Sequence, residues 1–171
     1  MITMNKIIAS TLLLFLISSI TGCEKKPTTP TAAFNITKKS ILNKNWDKYW
    51  FMLSKKSKEN FNDQVKYMQD NFGKLAPEAR KKMLNSMGMT EKELNELDGR
   101  NFFLNAMSIR DKEQETAKSS SLALFKTSKV IYVEESGDKA ILYIQDDLGH
   151  EVKIPVVKEN KLWKLDLSEF D

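Results

Sequence analysis

Between Lys129 and Leu167 the chain reads KVIYVEESGDKAILYIQDDLGHEVKIPVVKENKLWKLDL, and here the apolar residues recur at every second position, whereas upstream they recur at every third or fourth. A period of two belongs to a strand whose successive side chains point to opposite faces, and a period near 3.6 to an amphipathic helix. The segments KVIYVEE, KAILYIQD, EVKIPVV and KLWKLDL are β-branched and aromatic, and SGD, DLGH and KEN separate them with turn-forming residues. This spacing predicts an antiparallel meander, with LALFK (122–126) as a further strand, so three to five strands in all. Pro155 cannot donate to a ladder, which places it on an edge strand or at a bulge.

Upstream, the pattern predicts helices. A first short helix fits Thr31 to Asn43, with Phe34 and Ile41 on one face. WDKYWFMLS puts Trp46, Tyr49, Trp50 and Leu53 at i, i+3, i+4 and i+7, one apolar stripe. Ser54 or Ser57 caps a third helix, in which Phe61, Val65, Met68 and Phe72 share a face before Gly73 stops it. From Leu75 to Arg110 three short helices are expected: Pro77 opens one and Gly88 ends it. Thr90 to Glu93 (TEKE) is a capping box for the next, closed by Gly99, and NFFLNAMSI starts a third with Phe103, Ala106 and Met107 inward. The run RDKEQETAKSSS (110–121) reads as a loop, with Ser119 to Ser121 a flexible joint. Helices followed by strands give an α+β domain, N-terminal helices packed on a curved antiparallel sheet.

The N-terminus carries a different signal. After Lys6, residues 7–20 (IIASTLLLFLISSI) are 14 positions without a charge. A positive start followed by an apolar run of this length is a secretory signal, and it is short of the roughly 20 residues a membrane span requires. Met4 serves as a start as well as Met1 does, since MNKII already opens a complete signal. The chain's one cysteine, Cys23, stands where the apolar run gives way to charge.

Ile20, Thr21, Gly22 and Cys23 resemble the lipobox of bacterial lipoproteins. The resemblance implies that the Cys23 thiol carries a diacylglycerol, that the bond between Gly22 and Cys23 is cut, and that acyl chains such as palmitate anchor the mature N-terminus. Two or three chains suffice for stable anchoring where one gives only marginal binding. Residues 1–22 are then signal peptide, 23–30 a lipidated N-terminus and Pro-containing tether, and 31–171 a single domain. In Gram-negative lipoproteins an aspartate after the modified cysteine signals retention in the inner membrane. Glu24 at this position implies the outer membrane, with the domain facing the periplasm.

An exported chain with one cysteine has no disulfide within the domain, which must stand on its own core. Charge is unevenly distributed: Glu24 to Lys82 holds 14 basic and 6 acidic residues, net +8, and Met83 to Asp171 holds 12 and 17, net −5. Either a basic face turns toward anionic headgroups, or solvated helix faces attract the acidic half. Export argues against nucleic acid as a partner.

Residue types that carry chemistry are sparse. His150, the one histidine, follows Gly149 in a turn and reads as solvent-exposed rather than as a catalytic base. One histidine and a lipidated cysteine cannot assemble a transition-metal cluster in the usual way, and DDLGHE lacks the spacing of a calcium loop. No metal or cofactor is expected, and no catalytic residue is identified. Trp46, Trp50, Tyr132, Tyr143 and Trp163 would line a cavity for a mostly apolar ligand if one exists, and core packing accounts for them equally.

The order of elements, carried by ILNKNWDKYWFMLSKKSKENF, MGMTEKELNELDGRNFF and the terminal meander, resembles the nuclear transport factor two-like (cystatin-like) fold of small bacterial lipoproteins of unknown function. In enzymes of that fold, a cone between sheet and helices holds an Asp, His or Tyr for proton transfer, and no position here matches such a set. The expected function is a non-catalytic domain, held by Cys23, that binds an envelope protein or a small apolar ligand. The alternatives are an immunity-type inhibitor of an exported toxin and an enzyme using the cone.

Overall fold

The computed structural model describes residues 26–116 and 125–168. Strands β1 (Lys129–Ser136), β2 (Lys139–Gln145), β3 (Glu151–Glu159) and β4 (Leu162–Leu165) form one open antiparallel sheet in the order β1-β2-β3-β4. Gly137, in the β1–β2 turn, has φ 62°, in the left-handed region that favours glycine. Asn160 (φ 50°) and Lys161 (φ 67°) make the tight β3–β4 turn in the left-handed region, as a two-residue hairpin with the right twist requires.

Among the described residues six helices precede the sheet, apart from a helical turn at 125–127. They are α1 (Pro30–Leu42), α2 (Trp46–Met52), α3 (Lys55–Phe72), α4 (Pro77–Met87), α5 (Glu91–Asn95) and α6 (Gly99–Thr116). Their starts are set by local chemistry. Thr29 accepts from Ala32 N with Pro30 in the first turn; Asn45 and Ser54 accept from Lys48 N and Ser57 N; Thr90 and Glu93 close the capping box. Gly88, at φ 63°, ends α4 in the left-handed conformation.

Helices α1 and α2 lie against one face of the sheet, and α6, packed on α2 and α3, joins the same core through Phe103. Ala33 and Phe34 of α1, Met52 of α2, Leu53 just after it and Phe103 of α6 pack with Ala140, Leu142, Ile144, Val156, Trp163 and Leu165 in one buried cluster. Helix α3 is tied to the α5 end by Gln69 Nε2, which donates to Leu94 O (2.8 Å) and Leu97 O (3.1 Å).

Both edges of the sheet differ from a bare meander. Leu53 forms a parallel bridge with Leu165, and Ser54 N donates to Leu165 O (2.7 Å), so the α2–α3 junction lies along β4. Farther along the same edge Trp163 N donates to Pro27 O (2.8 Å), and Pro27 is buried. The segment read as tether is therefore docked from Pro27 onward. On β1, the register slips between Val130 and Tyr132, a bulge that leaves Ile131 exposed.

Four expectations are corrected. Pro155 is on neither an edge nor a bulge: β3 is an inner strand, in unbroken register with β2. It fits because Pro155 O accepts from Asp166 N (2.9 Å) one residue past the end of β4, so its absent N–H costs only a terminal rung. Gly99 does not close α5, which ends at Asn95, but opens α6, where its N–H donates to Asn62 Oδ1 (2.9 Å) on α3. The expected loop from Arg110 continues α6 to Thr116, because Arg, Lys, Glu and Gln are good helix formers whether or not an apolar face persists. Phe125 and Lys126, expected in a strand, lie in a helical turn. Residues 117–124, including Ser119 to Ser121, lie outside the described residues, as does everything before Lys26.

Candidate functional site

Strand β2 reads Lys-Ala-Ile-Leu-Tyr-Ile-Gln and is apolar on both faces. Ala140, Leu142 and Ile144 are buried under the helices; Ile141 and Tyr143 point the other way, where no described element packs. The register completes that outer face. Tyr132 of β1 pairs with Tyr143 and Glu134 with Ile141; Pro155 of β3 pairs with Ile141 and Lys153 with Tyr143; Val157 lies between Lys139 of β2 and Lys164 of β4.

The result is an apolar strip with charged flanks. Tyr132 and Tyr143 have ring centroids 5.3 Å apart, and Lys153 Nζ lies 5.1 Å from the Tyr143 ring. Tyr143 Oη donates to Glu134 Oε2 (3.0 Å), and that hydrogen bond is the main reason its hydroxyl is pushed above the ordinary tyrosine range. Next to the tyrosines, Ile141, Pro155 and Val157 floor a shallow depression of about 200 Å³, rimmed by Glu134, Ser136, Lys139 and Asp166.

Asp166 joins this face to the helices. Its Oδ1 accepts from Ser168 Oγ (2.7 Å), Ser168 N (3.1 Å), Ser54 Oγ (3.1 Å) and Ser57 Oγ (3.2 Å). Desolvation pushes the carboxyl up, but these hydrogen bonds outweigh it and hold it below the usual carboxylate range. Because the folded value is depressed, the stabilisation is complete above the unfolded value near 4 and is lost as pH falls through the folded one. Asp166→Asn should therefore lower the urea midpoint most at neutral pH. Its curve should approach that of the parent as the pH falls below the unfolded value near 4; a gap that stays constant with pH would refute the assignment.

Lys164, on the same face, is 7% exposed. Its Nζ donates to Phe51 O (2.6 Å) and lies 3.5 Å from the centroid of the Phe51 ring. Burial, with repulsion from Lys58 and Lys48 working against attraction from Glu159, pushes this ammonium down to about 8. Such a group is a packed cation whose stem and charge close the edge of the face.

The aromatic residues singled out from the sequence do not share one cavity. Trp163 is fully buried in the core; Trp46 and Trp50 pack partly buried against it, with Trp46 Nε1 donating to Asp111 Oδ2 (3.1 Å); only Tyr132 and Tyr143 meet, on the outer face. His150 stands at the β2–β3 turn with Nδ1 2.9 Å from Asp146 Oδ2, and Asp146 Oδ1 also accepts from Leu148 N and His150 N. That network makes Asp146 a turn brace. Gly22 and Cys23 lie outside the described residues. Among the described residues no group of three or more His, Cys, Asp or Glu side chains is placed to hold a metal, and no helix is long and apolar enough to cross a membrane.

Ile141, Val157, Lys164 and Asp166 are not singled out by the sequence, and Pro155 only for its missing ladder donor. The signal that marks them is the unbroken apolar run of β2: a strand apolar on both faces requires a cover on both. No family model, curated protein or solved structure matches the chain.

Proposed function

We propose that the protein is a lipid-anchored cell-envelope protein whose domain binds a ligand or partner on the outer face of its sheet without catalysing a reaction. The observation that carries the anchoring is the order Lys6, 14 uncharged residues, then Ile20, Thr21, Gly22 and Cys23. Glu24 after the cysteine favours the outer membrane, facing the periplasm, in a Gram-negative cell. The binding role is supported by the exposed strip: Tyr132 is 59% and Ile141 37% exposed beside Tyr143, Pro155 and Val157. Tyrosine hydroxyls and flanking charges at its margin suit an apolar or aromatic group bearing polar ends. For the fold, we infer a nuclear transport factor two-like arrangement, supported by helices laid over one face of a four-stranded meander.

Cys23→Ser should abolish acylation and leave an uncleaved precursor. Metabolic labelling with an alkyne palmitate analogue reads this directly, and equal labelling of variant and parent would overturn the anchoring.

A further inference from the structure

The place where the N-terminal segment joins the domain is also where lysines gather. Pro27 is fixed against β4 by the bond from Trp163 N, and exposed Lys26 precedes it. Lys158 is the cross-strand partner of Trp163, with Nζ 5.7 Å from the indole ring; exposed Lys161 sits in the β3–β4 turn two residues before Trp163. Lys55 N, at the start of α3, donates to Glu159 Oε1 (2.8 Å), which brings the first turn of α3 to that same turn. Lys58 follows, within electrostatic reach of Lys164 and Glu159. Of the neighbouring carboxylates, Glu159 accepts from Lys55 N and Glu59 pairs with Lys55 Nζ at 3.5 Å, while exposed Asp138, whose carbonyl accepts from Lys158 N (2.7 Å), stands beside Lys158 in the β1–β2 turn. Two of these lysines, Lys158 and Lys161, come from the acidic half of the sequence, so the patch is a product of the fold.

We infer that this end of the sheet, around the β3–β4 turn and the start of α3, is the surface the domain lays against anionic phospholipid headgroups of the bilayer that holds its N-terminus. The inference rests on the proposed acylation of Cys23. From Cys23 to Pro27 is four residues, at most about 14 Å of extended chain. The screening length at physiological salt is about 8 Å, and so short a tether lets the lysines beside Pro27 come within it when this end of the sheet turns to the leaflet. Free anions would have no reason to select the lysines nearest the anchor; a tethered, negatively charged plane does.

The test uses the full-length protein purified from membranes and reconstituted into vesicles of phosphatidylcholine alone or of phosphatidylcholine with phosphatidylglycerol. Lysines are labelled briefly with a membrane-impermeant amine reagent and read by mass spectrometry, together with the mass of the N-terminal peptide. Lys158, Lys161 and Lys58 should react about fivefold more slowly on the anionic vesicles, the Boltzmann factor for the attraction one lysine feels at such a surface. High salt should abolish the difference. Lys66, about 16 Å along α3 from Lys55, and Lys92 serve as references that should not change. An acylated N-terminal peptide with equal labelling on both vesicle types, or protection indifferent to salt, would overturn the docking surface and leave the anchor standing. A peptide without acyl mass would remove the anchor and this surface with it.

Discussion

Phe103→Ala is expected to lower the unfolding free energy by about 3 to 5 kcal/mol, a large share of a domain's stability. Phe103 is 1% exposed, and its ring meets those of Tyr49 (5.2 Å between centroids), Trp50 (5.3 Å) and Phe61 (5.4 Å). It is the point at which α2, α3 and α6 meet. Truncation removes the transfer term and leaves a void between three helices whose backbones are fixed by separate caps, so little of it can close. Urea denaturation of the purified protein measures the loss. A value under about 1 kcal/mol would mean that the three helices collapse into the space, and that their packing is far softer than these contacts indicate.

Gly99→Ala should cost up to about 3 kcal/mol through the opposite error, too many atoms. An added Cβ would stand 2.7 Å from Asn62 N and 2.9 Å from Phe61 C, both backbone atoms of α3, as well as 2.5 Å from Asn62 Oδ1. A side chain could turn away, but a helix backbone cannot, so α6 must shift as a body and loosen the bond from Gly99 N to Asn62. At most helical sites glycine to alanine is stabilising by about 0.5 to 1 kcal/mol, so even the sign is diagnostic. A higher urea midpoint in the variant would show that α3 and α6 are not in this close contact.

These two residues mark where the sequence is informative and where it is not. Phe103 is legible, because an apolar residue at helical spacing needs only local rules. So are the caps at Ser54 and Thr90, the stop at Gly88 and the four strands, whose β-branched and aromatic runs between turn residues are recognisable in isolation. Gly99 is not, because a close approach between helices is a property of two segments 37 residues apart. Pro155 misleads for a related reason: whether its missing donor matters depends on where β4 ends. The end of α6 is hidden because its polar residues form helix by propensity with no stripe to reveal it.

The candidate site divides in the same way. Parity shows that Ile141 and Tyr143 share a face but not which face the helices will cover, and Ala-Ile-Leu-Tyr-Ile offers two equally apolar choices. Trp163 and Lys164 are adjacent in sequence, and the fold sends one to the core and the other beneath Phe51. Cys23, by contrast, is readable entirely from its neighbours, because the recognition proposed for it acts on an extended chain.

The docking of Pro27 against β4 also sets how the domain carries load. A pull on the N-terminus enters at the edge of the sheet and meets the bond between Trp163 and Pro27 before it reaches α1. One hydrogen bond is a weak fastening, but the rung it would open lies beside a tryptophan seated in the core, and on the same edge Leu53 and Ser54 grip Leu165 independently. With the N-terminus held as proposed, drag on the domain should therefore peel Pro27 and Thr28 as slack before force reaches the cap that Thr29 makes on α1. On a chain anchored as proposed, the segment would serve as a mechanical fuse, lengthening the leash under tension and resetting when tension ends.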